Sequence, residues 1–255
     1  MRKILFLIPL LLALTFAGCK KDSNPTETIS EDQSVNKSGQ PMPDFSKDEK
    51  YNGVLATINY EMTNPIPGMP AISTNIAFAS LGDGVDAGAV AVNSNDIGKM
   101  NAGGKTYYMV PNMGNPTQTL NNISFDGSNH SWNVGGANGV SSFNGSVKSP
   151  STFNMTSPSQ SATINKSGGI QIKWNGGTSS RVHVQITSIN NSGTTKYQSD
   201  LSDNGTYAFS SSDLSSLSGE CLVYVVKYNY SSVSSNGKNY YLIAEVVKSV
   251  TVKIN

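Results

Sequence analysis

The sequence predicts an all-β protein, and three observations support that prediction. From Tyr51 to the C-terminus, short stretches alternate apolar and polar residues, which is the period of half-buried strands. Asn-Gly or Asp-Gly dipeptides, which supply the positive φ angles of tight hairpins, separate many of these stretches. These dipeptides begin at Asn52, Asp83, Asp126, Asn138, Asn144, Asn175, Asn204 and Asn236. No comparably long segment keeps a helical period.

The first part of this region, 51–148, contains six apolar sets that we interpret as the buried sides of short strands. Polar loops rich in Asn, Ser and Gly link them. In chain order, the predicted inward sets are Val54, Ala56, Ile58 and Tyr60; Ile76 and Phe78; Val90 and Val92; Tyr107 and Met109; Ile123 and Phe125; and Trp132 and Val134. We therefore predict a β-sandwich-like domain over 51–148.

The alternation is clearest in the second half. One predicted strand has its inward positions at Ile170, Ile172 and Trp174. The next has them at Val182, Val184 and Ile186, so His183 is predicted to face solvent. Strands are also predicted at Tyr207 with Phe209 and over 221–230, with a short helical turn over 213–217 between them. The last strand places Leu242, Ala244, Val246, Val250, Val252 and Ile254 inward. We predict a β-bulge near Lys248, which interrupts this apolar set.

About seven strands in about 100 residues, with turns every 8 to 12 residues, are typical of an immunoglobulin or fibronectin type III sandwich. The segment Ile170-Gln171-Ile172-Lys173-Trp174 resembles the second strand of a fibronectin type III domain, which ends in a core tryptophan. This resemblance implies a second sandwich over 155–255. The domain break is predicted between Lys148 and Gln160, where Pro150 and Pro158 bracket Ser and Thr residues. The predicted fold is therefore two β-sandwich domains.

The N-terminus has the three parts of a secretion signal, in order. Arg2 and Lys3 are positively charged, 4–14 is an apolar run, and Ala17-Gly18 supplies the small residues that precede signal-peptidase cleavage. The apolar run is shorter than the roughly 20 residues that span a membrane. We predict a cleaved signal peptide over 1–18.

The end of that signal, Thr15-Phe16-Ala17-Gly18-Cys19, resembles the lipobox of bacterial lipoproteins. The resemblance implies that Cys19 becomes the acylated N-terminus of the mature protein. Two or three acyl chains hold a protein firmly on a membrane, since each buried CH₂ contributes about 0.8 kcal/mol. The alternative is an ordinary signal peptide followed by a chance cysteine.

Residues 19–50 are predicted to form a disordered tether, because mixed charges, Ser, Asn and Pro leave almost nothing to bury before Phe45. Lys20-Lys21-Asp22 resembles the short charged stretch after the lipid cysteine of surface-exported lipoproteins of the Bacteroidota. That resemblance implies the bacterial outer membrane, with the protein exposed at the cell surface. Attachment on the periplasmic side is the alternative.

Composition disfavours several classes of partner. Charged residues are 14% of the chain and the formal net charge is +1, so the basic surface of a nucleic-acid-binding protein is not expected. With lipid on Cys19, the second cysteine, Cys221, has no partner within the chain. Its apolar neighbours predict a buried, unreactive thiol.

We predict no catalytic site and no cofactor. Because His183 has the solvent parity of its strand, a Ser-His-Asp triad would have to use His130, and no G-x-S-x-G elbow lies near that residue. One free cysteine and two separated histidines do not make a zinc site. Calcium is harder to exclude, because Asp83, Asp86, Asp200 and Asp203 lie in turns, although their simpler role is turn formation.

Adjacent tyrosines are the remaining candidates for ligand binding. Neighbouring residues of a strand face opposite sides, so one ring is expected to be exposed in each of Tyr107-Tyr108, Tyr228 with Tyr230, and Tyr240-Tyr241. The candidate ligand-binding residues are Tyr108, Tyr228 and Tyr241. Tyrosine is also a common residue of half-buried sheets, so packing is the competing interpretation.

These patterns predict a lipid-anchored, non-enzymatic binding or spacer protein of the cell envelope, whose partner is an extracellular glycan or protein. Part of the first domain also resembles uncharacterised Bacteroidota-type lipoproteins, over 86–93, 125–127, 130–134 and 143–147. That resemblance implies no activity. The alternative function is a carbohydrate-binding accessory subunit of an outer-membrane glycan uptake system.

Overall fold

The structure is a computed structural model that describes residues 51–64, 69–189 and 194–255. Within these ranges the chain forms sixteen strands and one short 3-10 helix, so the all-β prediction is confirmed. The predicted signal peptide (1–18), lipid-acceptor Cys19 and tether (19–50) lie outside the described residues.

Eight strands precede Pro150. They are β1 (Tyr51–Met62), β2 (Ile72–Leu81), β3 (Val90–Val92), β4 (Asn95–Asp96), β5 (Lys99–Ala102), β6 (Lys105–Val110), β7 (Asn129–Val134) and β8 (Phe143–Lys148). Eight more follow: β9 (Met155–Ser157), β10 (Thr163–Ile164), β11 (Ile170–Trp174), β12 (Arg181–Ser188), β13 (Thr195–Ser202), β14 (Thr206–Phe209), β15 (Gly219–Ser235) and β16 (Lys238–Ile254). The 3-10 helix is Lys166–Gly168. The predicted helical turn over 213–217 forms hydrogen-bonded turns.

A nine-stranded sheet dominates the structure. Its order is β13-β12-β15-β16-β1-β2-β6-β5, and β10 pairs with the end of β16. The hairpin of β15 and β16, with 17 residues in each strand, turns at Asn236-Gly237 and keeps one register from Gly219↔Ile254 to Ser235↔Lys238. The predicted bulge near Lys248 is therefore wrong. Lys248 keeps the inward parity and forms an ion pair with Glu61, its directly opposite neighbour on β1.

The first strand lies in the middle of this sheet. β1 pairs in parallel with β16, so that Val54 lies opposite Tyr241, and antiparallel with β2. The predicted halves, 51–148 and 155–255, therefore share one sheet. They are joined because β1 pairs with β16.

Two small sheets pack on one face of the large sheet, which we call the inner face. The three-stranded sheet has the order β14-β11-β9, and the four-stranded sheet has the order β4-β3-β7-β8. One apolar core joins all three sheets: Leu55 and Val225 come from the large sheet, Ile172 and Trp174 from the three-stranded sheet, and Trp132 from the four-stranded sheet. Because sheets pack face to face around this core, the fold is a β-sandwich.

The opposite face of the large sheet, which we call the outer face, carries a second cluster. All of its members belong to β1, β2, β15 and β16, and they include Ile58, Val226, Tyr228, Tyr241 and Ile243. Both faces of the central strands are thus apolar. Several strands of this sheet have two buried sides instead of one.

This second cluster corrects part of the predicted parity. Val54, Ala56, Ile58 and Tyr60 belong to the outer cluster with Ile76, and it is Leu55 that lies in the main core. The reason is visible in the sequence, because 54–58 is apolar at both parities except for Thr57. The inward sets of β3, β7, β11, β12 and β16 are confirmed.

Candidate functional site

Tyr108 is a structural residue of the inner face, and its expected exposure is wrong. The side chain is buried in the main core. Its hydroxyl accepts a hydrogen bond from the N–H of Ala87 at 2.8 Å and lies 3.0 Å from the carbonyl of Gly88 and 3.1 Å from the carboxylate of Asp86. Burial raises the pKa of Tyr108 to about 12. The residue fixes the 86–88 loop against β6.

Tyr228 and Tyr241 face outward as predicted from their strands, but both rings are buried, at 0% and 3% exposure. The expectation that they form an exposed platform is therefore wrong. Long tyrosines and branched side chains crowd this face on three adjacent strands, β15, β16 and β1. The exposed ring is that of Tyr230, at 45%.

Four tyrosines and one glutamate lie together on the outer face, and we call this group the tyrosine cluster: Tyr51, Tyr228, Tyr230, Tyr241 and Glu245. The centroids of Tyr51 and Tyr241 are 5.9 Å apart with the rings at 69°. Tyr230 and Tyr241 are 5.6 Å apart at 51°, and Tyr228 and Tyr230 are stacked at 6.4 Å. Glu245 lies directly opposite Tyr228 in the β15–β16 ladder.

The carboxyl group of this cluster is strongly perturbed. Burial raises the pKa of Glu245 to about 8, because the charged form loses its hydration. Burial, and then the proximity of Glu245 and of the other three phenols, raises the pKa of Tyr241 as well. Tyr241 therefore lies close to Glu245 and to the other three phenols.

His183, predicted to face solvent, is fully buried on the outer face, and this prediction is wrong. Its Nε2–H donates to Gln185 Oε1 at 3.1 Å, and its Nδ1 accepts from the Ser199 hydroxyl at 2.7 Å. The ring also stacks on Tyr197 at 5.8 Å. Burial lowers the pKa of His183 to about 4. The imidazole is neutral, and its hydrogen bonds connect β12 to β13.

His130 is buried on the other side of the large sheet and is also structural. Its Nε2 lies 3.0 Å from the carbonyl of Ser124, which accepts a hydrogen bond, so Nδ1 accepts from the Thr57 hydroxyl at 2.7 Å. Burial lowers the pKa of His130. The residue links the four-stranded sheet to β1.

The four turn aspartates that were considered for calcium each pair with a basic side chain. Nitrogen–oxygen distances are 2.8 Å for Asp83 with Lys105, 2.8 Å for Asp86 with Lys99, 3.4 Å for Asp200 with Arg181, and 2.7 Å for Asp203 with Lys227. Over the described ranges, no group of three or more His, Cys, Asp or Glu residues is arranged to hold a metal ion.

The Asp203–Lys227 pair is the most deeply buried of these. Besides Lys227, the carboxylate accepts hydrogen bonds from Trp174 Nε1 at 2.6 Å and from Thr178. Burial alone opposes ionisation, but these donors hold the pKa of Asp203 below its usual value. The Lys227 ammonium also donates to the carbonyl of Asn175 and lies 5.0 Å from the ring centroid of Phe153. This network ties the three-stranded sheet to β15.

Cys221 is buried and free, as predicted. Burial raises the pKa of its thiol, which keeps it protonated at neutral pH. Among the residues that the structure describes, there is also no helix long and apolar enough to span a membrane.

A shallow groove of about 630 Å³ runs across the exposed side of the four-stranded sheet. Amide and hydroxyl side chains line most of it: Asn93, Ser94, Ser131, Asn133, Asn144 and Ser146. The sequence reasoning did not select this surface. The sequence does indicate such a surface. On the solvent-facing side of β7 and β8, Asn and Ser residues alternate with buried residues such as Trp132 and Val134.

The groove is held by its own hydrogen bonds. Across β7 and β8, Asn133 lies opposite Asn144 and donates to its side-chain oxygen at 2.5 Å, while Ser131 lies opposite Ser146. Asn93 accepts from the N–H of Ser131 at 2.8 Å and donates to the carbonyl of Asn122 at 2.8 Å. Asn133, Asn144, Ser131 and Ser146 belong to the paired strands β7 and β8, whereas Asn93 and Ser94 lie in the turn between β3 and β4.

No protein-family model matches this sequence, and no curated protein matches it. Solved structures that resemble it include the FN1–FN3 domains of chicken CNTN1, with 10% identity, a TM-score of 0.21, and coverage of 69% of this chain and 62% of that one. The IG1 and IG2 domains of DIP-gamma give 10% identity, a TM-score of 0.21, and coverage of 80% and 98%. By their descriptions, these neighbours are fibronectin and immunoglobulin domains. They carry no inference about ligand or partner.

Proposed function

We propose that this protein is a lipid-anchored, non-enzymatic binding or spacer module of the bacterial cell envelope. The observation that carries the proposal is the arrangement along the chain of a lipobox-like segment ending at Cys19, a polar stretch to residue 50, and a rigid sandwich that begins at Tyr51. As a coil, the polar stretch has a root-mean-square span of about 30 Å. The sandwich then stands off the membrane and displays its surfaces.

The anchoring is tested by labelling cells with a radioactive fatty acid. We expect the wild-type protein to carry label and the Cys19→Ala variant to carry none. Cys221→Ala is the matched control, because it removes the other cysteine and should keep the label. Label on the Cys19→Ala protein refutes the anchor. Protease treatment of intact cells then separates surface exposure, in which the sandwich is accessible, from attachment on the periplasmic side.

The groove on the four-stranded sheet favours a second, more specific function, the recognition of a neutral glycan. Sugars present rows of hydroxyl groups that both donate and accept hydrogen bonds, and Asn and Ser side chains do the same. The opposed pairs Asn133–Asn144 and Ser131–Ser146 repeat this chemistry along the two strands. Such a groove suits the accessory subunit of a glycan uptake system.

Affinity electrophoresis against a panel of soluble polysaccharides tests this function. We expect at least one neutral polysaccharide to retard the wild-type protein, and the double variant Asn133→Ala, Asn144→Ala to lose the retardation. Gln198→Ala is the control, because it removes an exposed amide from β13, on another sheet. If no polysaccharide retards the protein, or if the double variant is retarded equally, the groove is not a glycan site.

A further inference from the structure

Exposed large apolar side chains are concentrated at one end of the nine-stranded sheet. In the part of the chain that the structure describes, five such side chains are exposed: Met69 at 55%, Ile72 at 52%, Met113 at 80%, Ile189 at 44% and Tyr230 at 45%. The first four lie towards the end of the sheet at which β1 finishes, which we call the far end.

The hairpin of β1 and β2 places two of these side chains. Ile72 is the first residue of β2 and lies opposite Met62, the last residue of β1. Met69 comes three residues before Ile72, in the loop that joins the two strands. Both side chains therefore lie at the tip of this hairpin.

The neighbouring strands bring the other two side chains to the same end. β6 runs antiparallel to β2 and ends at Val110, and Met113 follows three residues later. β12 runs antiparallel to β15, and the N–H of Ile189, just after β12, donates to the carbonyl of Glu220 at the start of β15. The four side chains thus come from three separate loops.

The loops of the far end carry no charge. Residues 63–71, 111–122 and 189–195 contain no Asp, Glu, Lys or Arg. The charged residues nearest to them belong to strands, where Glu61 pairs with Lys248 and Glu220 lies opposite Lys253. Because an unpaired charge is costly to bury, loops without charges can enter an apolar medium at little electrostatic cost.

The opposite end of the sheet differs. Tyr51 begins β1 there, close to the turn of the β15–β16 hairpin, so the chain from Cys19 enters the sheet at this end. Its turns carry charges, among them the exposed pair of Asp83 with Lys105. The large sheet therefore has one charged end, which receives the tether, and one far end whose loops are apolar and uncharged.

We propose that the far end is a lipid-binding surface whose exposed Met and Ile side chains enter the bilayer that holds the anchor. Clusters of exposed apolar side chains mark contacts with proteins or membranes. A protein partner needs a complementary surface for every one of the three loops. A bilayer needs none, because the hydrophobic effect is non-directional and acyl chains adapt to each side chain.

The length of the chain before Tyr51 allows this contact. β1 spans about 40 Å from Tyr51 to Met62, whereas residues 19–50 extend to about 100 Å at full stretch. The far end can therefore turn back to the membrane. The choice of this bilayer rests on the proposed acylation of Cys19, but the affinity of the loops for lipid does not.

Vesicle flotation of the unacylated mature chain tests the proposal. The protein is residues 19–255 with Cys19→Ser, made without the signal, so that no acyl chain contributes. We expect binding to phosphatidylcholine vesicles and to vesicles of phosphatidylethanolamine and phosphatidylglycerol, with less than about a twofold change between 0.1 and 1 M NaCl, because the loops carry no charge. Absence of binding, or binding that 1 M NaCl abolishes, overturns the proposal. Fatty-acid labelling at Cys19 is measured separately, so the two hypotheses fail independently.

Substitutions locate the contact. The double variant Met69→Ser, Ile72→Ser should lower the lipid partition coefficient about tenfold or more, because it removes two exposed apolar side chains. Tyr230→Ser is the matched control, since it removes an exposed apolar side chain away from the far end, and it should bind as the wild type does. Equal binding of the double variant and the wild type refutes the surface. Circular dichroism confirms that each variant is folded.

A fluorescent reporter measures insertion directly. Trp132 and Trp174 are buried, so the additional emission of Met113→Trp reports on the far end alone. Vesicles with brominated acyl chains should quench this emission and leave that of the wild type unchanged. If they do not quench it, the loop does not reach the acyl chains and the proposal is wrong. Self-association that the Met69→Ser, Ile72→Ser variant abolishes, without vesicle binding, would instead identify an interface between two copies of the chain.

Discussion

The two faces of the nine-stranded sheet are buried by different chemistry. The inner face packs on two further sheets through aliphatic and aromatic side chains, and its charged members are paired, as Asp203 is with Lys227. The outer face carries tyrosines, a neutral histidine and a glutamate whose pKa is raised to about 8. The inner face is a core in which charges are matched in pairs. The outer face holds a buried carboxyl group, Glu245, whose neutral form burial favours.

The largest expected effect concerns the inner face. Lys227→Met should lower the free energy of unfolding by about 3 to 5 kcal/mol, because it leaves the Asp203 carboxylate buried without its counter-charge. Urea denaturation followed by tryptophan fluorescence measures this change, since Trp174 donates to the same carboxylate.

The control for that prediction is Arg181→Ala, which breaks the half-exposed ion pair with Asp200. Its effect should be a small fraction of the effect of Lys227→Met, because water already screens this pair. Similar losses in the two variants would contradict the distinction between buried and exposed pairs.

The outer face should make the free energy of unfolding depend on pH. Glu245 has a folded-state pKa of about 8 against an ordinary 4.5, so the folded state holds a proton that the unfolded state has lost. Stability should therefore fall as pH rises from about 4.5 to about 8, by up to about 1.4 kcal/mol per pH unit, and then level off. Denaturant titrations at several pH values measure the slope, and Glu245→Gln should abolish it.

His183 should give the opposite slope in a lower window. Its folded-state pKa of about 4 lies below the ordinary 6.5, so the unfolded state binds the proton more readily. The stability that the neutral ring contributes is complete above pH 6.5 and is lost as pH falls towards 4. Between pH 4.5 and 6.5 this contribution opposes that of Glu245, so His183→Gln should make stability fall with rising pH in that range and leave the limb above pH 6.5 unchanged. A change in both limbs would show that the two groups are coupled.

The smallest effect is expected at the turn that joins β15 and β16, which both faces share. Gly237 has φ of +70°, and a Cβ there would meet no atom within 4 Å. Gly237→Ala should therefore cost only the backbone strain of about 1 kcal/mol. Gln198→Ala, which removes an exposed amide from β13, is a suitable reference for thermal denaturation. A loss far above 1 kcal/mol would mean that the turn determines the register of the whole hairpin.

The sequence was sufficient for local structure. Alternation placed β7, β11, β12 and β16 with the correct buried side, and Asn236-Gly237 forms the tight hairpin that this dipeptide favours. The burial of Cys221 also followed from its apolar neighbours. These properties depend on residues that are close together in the chain.

Properties that depend on distant residues were predicted poorly. Pairing of β1 with β16 joins the two ends of the described chain, and nothing in the local pattern at Val54 indicates that partner. The exposure of Tyr228, Tyr241 and His183 depended on how densely the outer face is populated by several strands. The tyrosine cluster could be assembled only after the register of β15 and β16 was known.

The central position of β1 also determines when the protein can finish folding. β1 completes its ladder on one side with β2, which follows at once, but its other neighbour, β16, comes after every other described strand. Contacts of such large sequence separation slow folding, because a long loop must close before they form. A chain that leaves the ribosome N-terminus first therefore keeps one edge of β1 unpaired until β16 arrives. The hairpin of β15 and β16 is then the step that completes the sandwich.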